Sequence, residues 1–235
     1  MQEYKIKHHN VIRSVLKNFN ADFFFENSIL FGGGTRIALE IDEYRESIDI
    51  DFLCPNKLSY RAVREQVTSN SLGNLVKKDF EYPRDIRFDR YGVRTFIKEQ
   101  DTSIKLEIVS FDNYDLVADD RDLFPLPFLD QESCFYTKLL ANSDRCMSGQ
   151  CKDIFDILAM YWKWGDLPER SIINAEKHYG SSVLSQLVCS LQDILNNKEH
   201  YNSLAESMLI NPDFSQHLID NTALELFEKY KDHTA

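Results

Sequence analysis

The chain has 235 residues, 43% of them hydrophobic, and a formal net charge of −11, so it can bury a substantial core as one domain of two lobes or as two small domains. Its longest apolar runs fall short of the ~18 residues of a membrane span, and residues 1–20 are polar and mixed in charge, so the expectation is a cytoplasmic protein with no membrane segment. Five cysteines without a C-x-x-C pair argue against a disulfide framework or a zinc site, and the acidic balance argues against tight, unassisted binding to nucleic acid.

Tyr4 to Phe19 carries Ile6, Val11, Ile12, Val15, Leu16 and Phe19 at helical intervals, which predicts an amphipathic helix. His8 and His9 are adjacent within it, a poor spacing for a metal pair, and are read as surface residues. Phe23, Phe24 and Phe25 form an aromatic plug before a short strand, Ser28 to Phe31. Then come Gly32, Gly33, Gly34 and Thr35, a turn that lets backbone approach a phosphate and opens a helix whose first amides can face it. About a dozen residues later, Asp49 and Asp51 alternate with Ile48, Ile50 and Phe52, so a strand here puts both carboxylates on one face. Two neighbouring acids repel unless a cation lies between them, and Mg²⁺ completed by substrate phosphates is the simplest such cation, with Mn²⁺ as the substitute.

Beyond the second strand, Cys54 and Pro55 stop the pairing, and Ser59 is the predicted cap of a helix through Val67. Strands are predicted at Asp85 to Arg90, Val93 to Glu99 and Thr102 to Ser110. In the last, Lys105, Glu107 and Val109 share the face opposite Leu106 and Ile108, and a surface Glu107 paired with Lys105 or Arg94 is one reading of that face. Arg84, Arg87, Arg90 and Arg94 could meet a phosphate backbone, but acids are interspersed so evenly that a solvated, ion-paired face is the favoured reading. Pro125 and Pro127 in LFPLPFL predict a stiff extended connection, and the lobe boundary is set there, with domains at 1–128 and 129–235.

Gln131 to Asp144 and Lys152 to Trp164 are predicted helices, broken by a loop at Arg145 to Cys151. Asp153 and Asp156, at i and i+3, share a face, and Lys138 and Arg145 lie two turns apart on another helix. The remainder predicts three or four more helices: Pro168 in a first turn, Ile172 to Tyr179, Ser182 to Leu195, and a closing helix from Asp213 to Tyr230. The fold class is therefore α+β, a mixed-sheet lobe followed by a helical lobe.

The Gly33-Gly34-Thr35 turn with Arg45-x-Ser47-x-Asp49-Ile50-Asp51, and then Lys138 and Lys152-Asp153-x-x-Asp156, resemble the AbiEii-type toxins of the polymerase-β-like nucleotidyltransferase superfamily. The resemblance covers Phe31 to about Trp164. It implies a transferase moving a nucleoside monophosphate from an NTP to an acceptor hydroxyl on RNA, such as tRNA, or on protein. By it, Asp49, Asp51 and Glu107 hold the metal, with Glu107 as third ligand or general base. Gly33, Gly34, Thr35, Arg45, Ser47, Lys138, Asp153 and Asp156 bind the nucleotide, and Lys138 stabilises the departing pyrophosphate. It further implies the toxin of a toxin–antitoxin or phage-defence pair, with an antitoxin protein as partner. The alternatives are a metabolic or aminoglycoside-type nucleotidyltransferase, a nucleotide-binding module without catalysis, and a structural partner protein.

Overall fold

The computed structural model describes residues 3–145 and 152–233. They divide into two compact units, the first made of 1–43 with 47–130 and the second of 44–46 with 131–235.

The first unit opens with α1 (Lys7–Asn18) and α2 (Ala21–Glu26), followed by β1 (Leu30–Gly32), α3 (Gly33–Glu40), β2 (Asp49–Cys54), α4 (Lys57–Gln66), β3 (Arg87–Phe88), β4 (Gly92–Glu99) and β5 (Thr102–Ser110). The five strands form one sheet in the order β1-β2-β5-β4-β3. Only β2 and β5 run parallel, as expected of a pair separated by a long crossover through α4 and the β3–β4 hairpin.

Period-two alternation gives the sheet two distinct faces. Ile50, Phe52, Val93, Ile97, Ile104, Leu106 and Ile108 are buried in the core of this unit. The opposite positions, Asp49, Asp51, Lys105, Glu107, Arg94 and Phe96, are half-buried or exposed. On the buried side the Phe52 ring meets Phe19 and Phe24 edge-on at centroid distances of 4.8 and 4.7 Å, the offset geometry that aromatic quadrupoles favour. The aromatic plug lies on α2, and it is split: Phe24 is fully buried while Phe25 is 76% exposed.

Several expectations need correction. The cap of α4 is Asn56, whose side chain accepts from the amides of Leu58 and Ser59; Ser59 lies one turn inside. The strand expected over Asp85 to Arg90 shrinks to two residues. The LFPLPFL segment is not a bare connection: Phe124, Leu126, Phe128 and Leu129 are buried, and Phe31 exchanges backbone hydrogen bonds with Pro127 and Leu129. Proline removes its own donor but leaves its carbonyl available, so the segment lies along β1 as an added edge and belongs to the first unit, which ends at Asp130.

The second unit is helical: α5 (Gln131–Arg145), α6 (Lys152–Trp164), α7 (Glu169–Tyr179), α8 (Ser182–Asn196), α9 (Lys198–Ser207), α10 (Pro212–His217) and α11 (Ala223–Tyr230). The expected Arg145 to Cys151 loop lies, beyond Arg145 itself, outside the described residues. Pro168 caps α7 rather than entering it. A π-helical stretch, Leu218–Thr222, joins α10 to α11, so the closing helix is interrupted where a single one was expected. Among the described residues no helix is long and apolar enough to cross a membrane.

Candidate functional site

The two aspartates of β2 stand on the open face of the sheet, one turn of pleat apart. In register, Gly32, Asp51, Glu107, Arg94 and Arg87 form one row across all five strands, and Asp49, Lys105 and Phe96 form the next. Gly33 begins α3 with φ +69, and a Cβ added there would lie 2.1 Å from Asp51 Oδ2. Its side is therefore occupied by the Asp51 carboxylate, and only glycine satisfies both the left-handed backbone and this approach. The turn and Asp51, related in the sequence only by spacing, are in van der Waals contact.

Thr35 and Ser47 tie the same corner together from beneath. The Thr35 hydroxyl donates to the Asp49 carbonyl and lies 2.8 Å from Ser47 Oγ. Both residues are buried, so their hydroxyls hold the entry to β2 against the first turn of α3.

Glu107 is the register neighbour of Asp51. Its carboxylate is engaged by Lys105 at 3.0 Å and Arg94 at 3.5 Å, the paired reading left open by the sequence. Burial works to lower the Lys105 pKa, but Glu107, Asp49 and Asp51 outweigh it and keep the ammonium charged above its usual range. Lys105 is thus a positive charge beside these three carboxylates, a role that sequence reading gave it only as a surface partner of Glu107. Among the described residues, no group of three His, Cys, Asp or Glu side chains is gathered closely enough to hold a metal ion. Two hard carboxylates beside a phosphate-compatible turn still fit Mg²⁺, which commonly takes one or two carboxylates and fills its remaining positions with water and substrate phosphate.

The other expected residues form a separate cluster inside the second unit. Lys138 Nζ sits between Asp153 Oδ1 at 2.8 Å and Asp156 Oδ2 at 2.5 Å. Arg45 grips Asp156 with Nε at 2.8 Å and Nη2 at 3.2 Å, Arg145 Nε lies 2.9 Å from Asp153, and the Tyr44 hydroxyl donates to Asp156. Burial works to raise the Asp156 pKa, but Arg45 and Lys138 outweigh it and hold the carboxyl well below the usual range. Burial likewise works to lower the Lys138 pKa, and Asp153 and Asp156 reverse it. Among the described residues, three cations thus face two carboxylates here.

Tyr44 was missed because nothing local marks a tyrosine as an acid's partner. His9 was misread: it is fully buried, whereas its neighbour His8 is only partly so. The signal was present, since positions 9, 12 and 16 share one helical face with the apolar Ile12 and Leu16.

Comparison with known proteins bears on the whole arrangement. A family model described as "Nucleotidyl transferase AbiEii toxin, Type IV TA system" matches residues 14–233. The fold is similar to that of a crystal structure described as a candidate nucleotidyltransferase from Helicobacter pylori, with a TM-score of 0.56, 16% identity and 100% of each chain covered. It is also similar to JHP933 from Helicobacter pylori, with a TM-score of 0.55, 16% identity, and 96% of this chain and 92% of that one covered. No curated protein matches the chain.

Proposed function

Because the chain belongs to the AbiEii nucleotidyltransferase toxin family of type IV toxin–antitoxin systems, we propose that it transfers a nucleoside monophosphate from an NTP to an acceptor hydroxyl, using Mg²⁺ or Mn²⁺ at Asp49 and Asp51. The observation that carries this reading is the Asp51 carboxylate packed against Gly33, with Asp49 on the same strand face.

In this reading the α3 amides at Gly33 to Thr35 take the NTP phosphates. When bound, the cation supplies charge neutralisation at those phosphates. Glu107, released from Lys105, accepts the proton of the acceptor hydroxyl. The hydroxyl oxygen bonds to the α-phosphorus as the bond to the bridging oxygen breaks, and pyrophosphate leaves. Alignment and electrostatics supply most of the acceleration. By the family resemblance the cluster of Arg45, Lys138 and Arg145 is assigned to phosphate, with Asp153 and Asp156 orienting the cations; Lys138 is assigned the leaving pyrophosphate. Ser47 and Thr35 act through the backbone they hold.

RNA is favoured over protein as acceptor because Arg87 lies in the same row as the acids, and Arg84 and Arg90 lie over the rings of Phe96 and Tyr91 at 5.4 and 4.5 Å, while Arg94 stays paired with Glu107 and Asp89. Arginine interleaved with aromatic rings suits phosphate and base together. An antitoxin partner follows from the family.

The test is incubation with α-labelled NTPs, Mg²⁺ and total cellular RNA and protein. Label is expected in RNA with the unsubstituted chain and not with Asp49→Ala or Asp51→Ala. Label on a small molecule alone would favour the metabolic alternative, and no transfer to any acceptor would favour a binding module.

A further inference from the structure

His9 is a buried histidine with both ring nitrogens engaged, on a helix that the catalytic reading does not use. Its Nδ1 lies 2.9 Å from Glu43 Oε1, and its Nε2 lies 3.1 Å from the backbone nitrogen of Ser47. The Ser47 amide can only donate, so Nε2 carries the lone pair and Nδ1 carries the hydrogen that faces Glu43. Geometry therefore fixes the tautomer.

Glu43 is itself held in place. Its carboxylate accepts from the amides of Lys5 at 2.6 Å and Ile6 at 3.0 Å, just ahead of α1. It follows Asp42 in a pair of non-glycine residues with φ of +50 and +56, a conformation that persists only where surroundings impose it. On the far side of His9, Ser47 is linked to Thr35, and Thr35 to the Asp49 carbonyl. The backbone from 47 to 49 is thus gripped at the amide where it starts and at the carbonyl where it becomes β2.

We infer that His9 is a positioning residue for the acid-bearing strand: relayed from Glu43, it fixes the Ser47 amide so that Asp49 and Asp51 emerge on the open face beside Gly33. His9 is fully buried and cannot reach a substrate, so it acts through Ser47. A bare apolar contact would have been served by leucine; the ring instead directs two polar atoms at two loops. Strand registers answer to such pins, because a one-residue slip would carry both carboxylates to the core face. The inference rests on the reading of Asp49 and Asp51 as cation ligands.

The experiment compares the full chain with His9→Phe, which keeps ring volume and loses both hydrogen bonds, and His9→Gln, which keeps an acceptor near the Nε2 position. Hydrogen exchange over 44–52 should quicken by ~10-fold in His9→Phe, with peptides from α5 to α8 unchanged, and return most of the way in His9→Gln. Mn²⁺ binding followed by electron paramagnetic resonance should weaken by ~10-fold in the Phe variant and recover in the Gln variant. For transfer of α-labelled NTP to total RNA, kcat should fall by ~10- to 100-fold with KM for NTP nearly unchanged, as expected of misaligned groups. Unchanged exchange over 44–52 in His9→Phe would overturn the inference, as would a uniform rise across the chain that Gln does not reverse. If the unsubstituted chain neither binds Mn²⁺ nor transfers label, the proposed function fails, and the exchange measurement alone still decides whether His9 holds the strand.

Discussion

Gly33 and Asp51, eighteen positions apart in the chain, share one small volume: the carboxylate of Asp51 lies where any side chain at 33 would project. Alanine at 33 would meet both a left-handed backbone and a collision, so either the turn or the acid must move. Gly33→Ala should therefore lower transfer by at least ~10²-fold. Gly180 is the control, with φ +65 and nothing within 4 Å of an added Cβ. Gly180→Ala should cost about 1–2 kcal/mol of stability in thermal melts and leave the rate alone. Equal effects of the two on transfer would contradict the account.

Asp156 is the acid shared by Arg45 and Lys138. Asp156→Ala leaves two buried cations short of a partner and should destabilise the chain by about 3–5 kcal/mol in urea unfolding. Pairing it with Lys138→Met should restore part of that loss. If the double variant is as unstable as the sum of the singles, the two residues are not coupled.

The same cluster sets an acid limb. The folded-state pKa of Asp156 lies below its unfolded value of ~3.9, so the stability it contributes is fully present above that value and is lost as pH falls through it toward the folded pKa. Asp119 has the same sign: burial works to raise its pKa, but Arg121 and Arg36 outweigh it. For Glu43, burial likewise raises it, and the amides of Ile6 and Lys5 with His9 outweigh that. Unfolding free energy should hold near neutral pH and fall from about pH 5 downward. Asp156→Asn should flatten that fall. An acid limb as steep as in the unsubstituted chain would assign it to other groups.

Much of this was legible from the residues. The alternation around Asp49 and Asp51 gave the correct face, because one side of that strand is committed to a phenylalanine core; β5 and α6 were located to the residue for the same reason of long, unbroken periodicity. What escaped reading depends on contacts between distant positions. Residues 44–46 belong to the second unit although their flanks do not, and no linear boundary can express that. The proline segment read as a connection because its pairing partner, β1, lies nearly a hundred positions away. Lys105 was read as a surface charge, since its relation to Asp49 exists only through the parallel pairing of β2 with β5.

Lys105 yields a further expectation. Its ammonium competes with any cation for the same three carboxylates, and removing a nearby like charge favours cation binding. Lys105→Met should therefore lower the Mg²⁺ concentration for half-maximal transfer by ~3- to 10-fold, measured by titration at fixed NTP. A raised Mg²⁺ requirement would mean that Lys105 supports the site instead of competing in it.

The most direct measurement is a crystal structure of the chain with Mn²⁺ and a non-hydrolysable NTP, located by anomalous scattering. The account predicts a metal peak about 2.1 Å from oxygens of both Asp49 and Asp51, with the triphosphate against Gly33 to Thr35. Nucleotide bound with its metal away from those two carboxylates would contradict it.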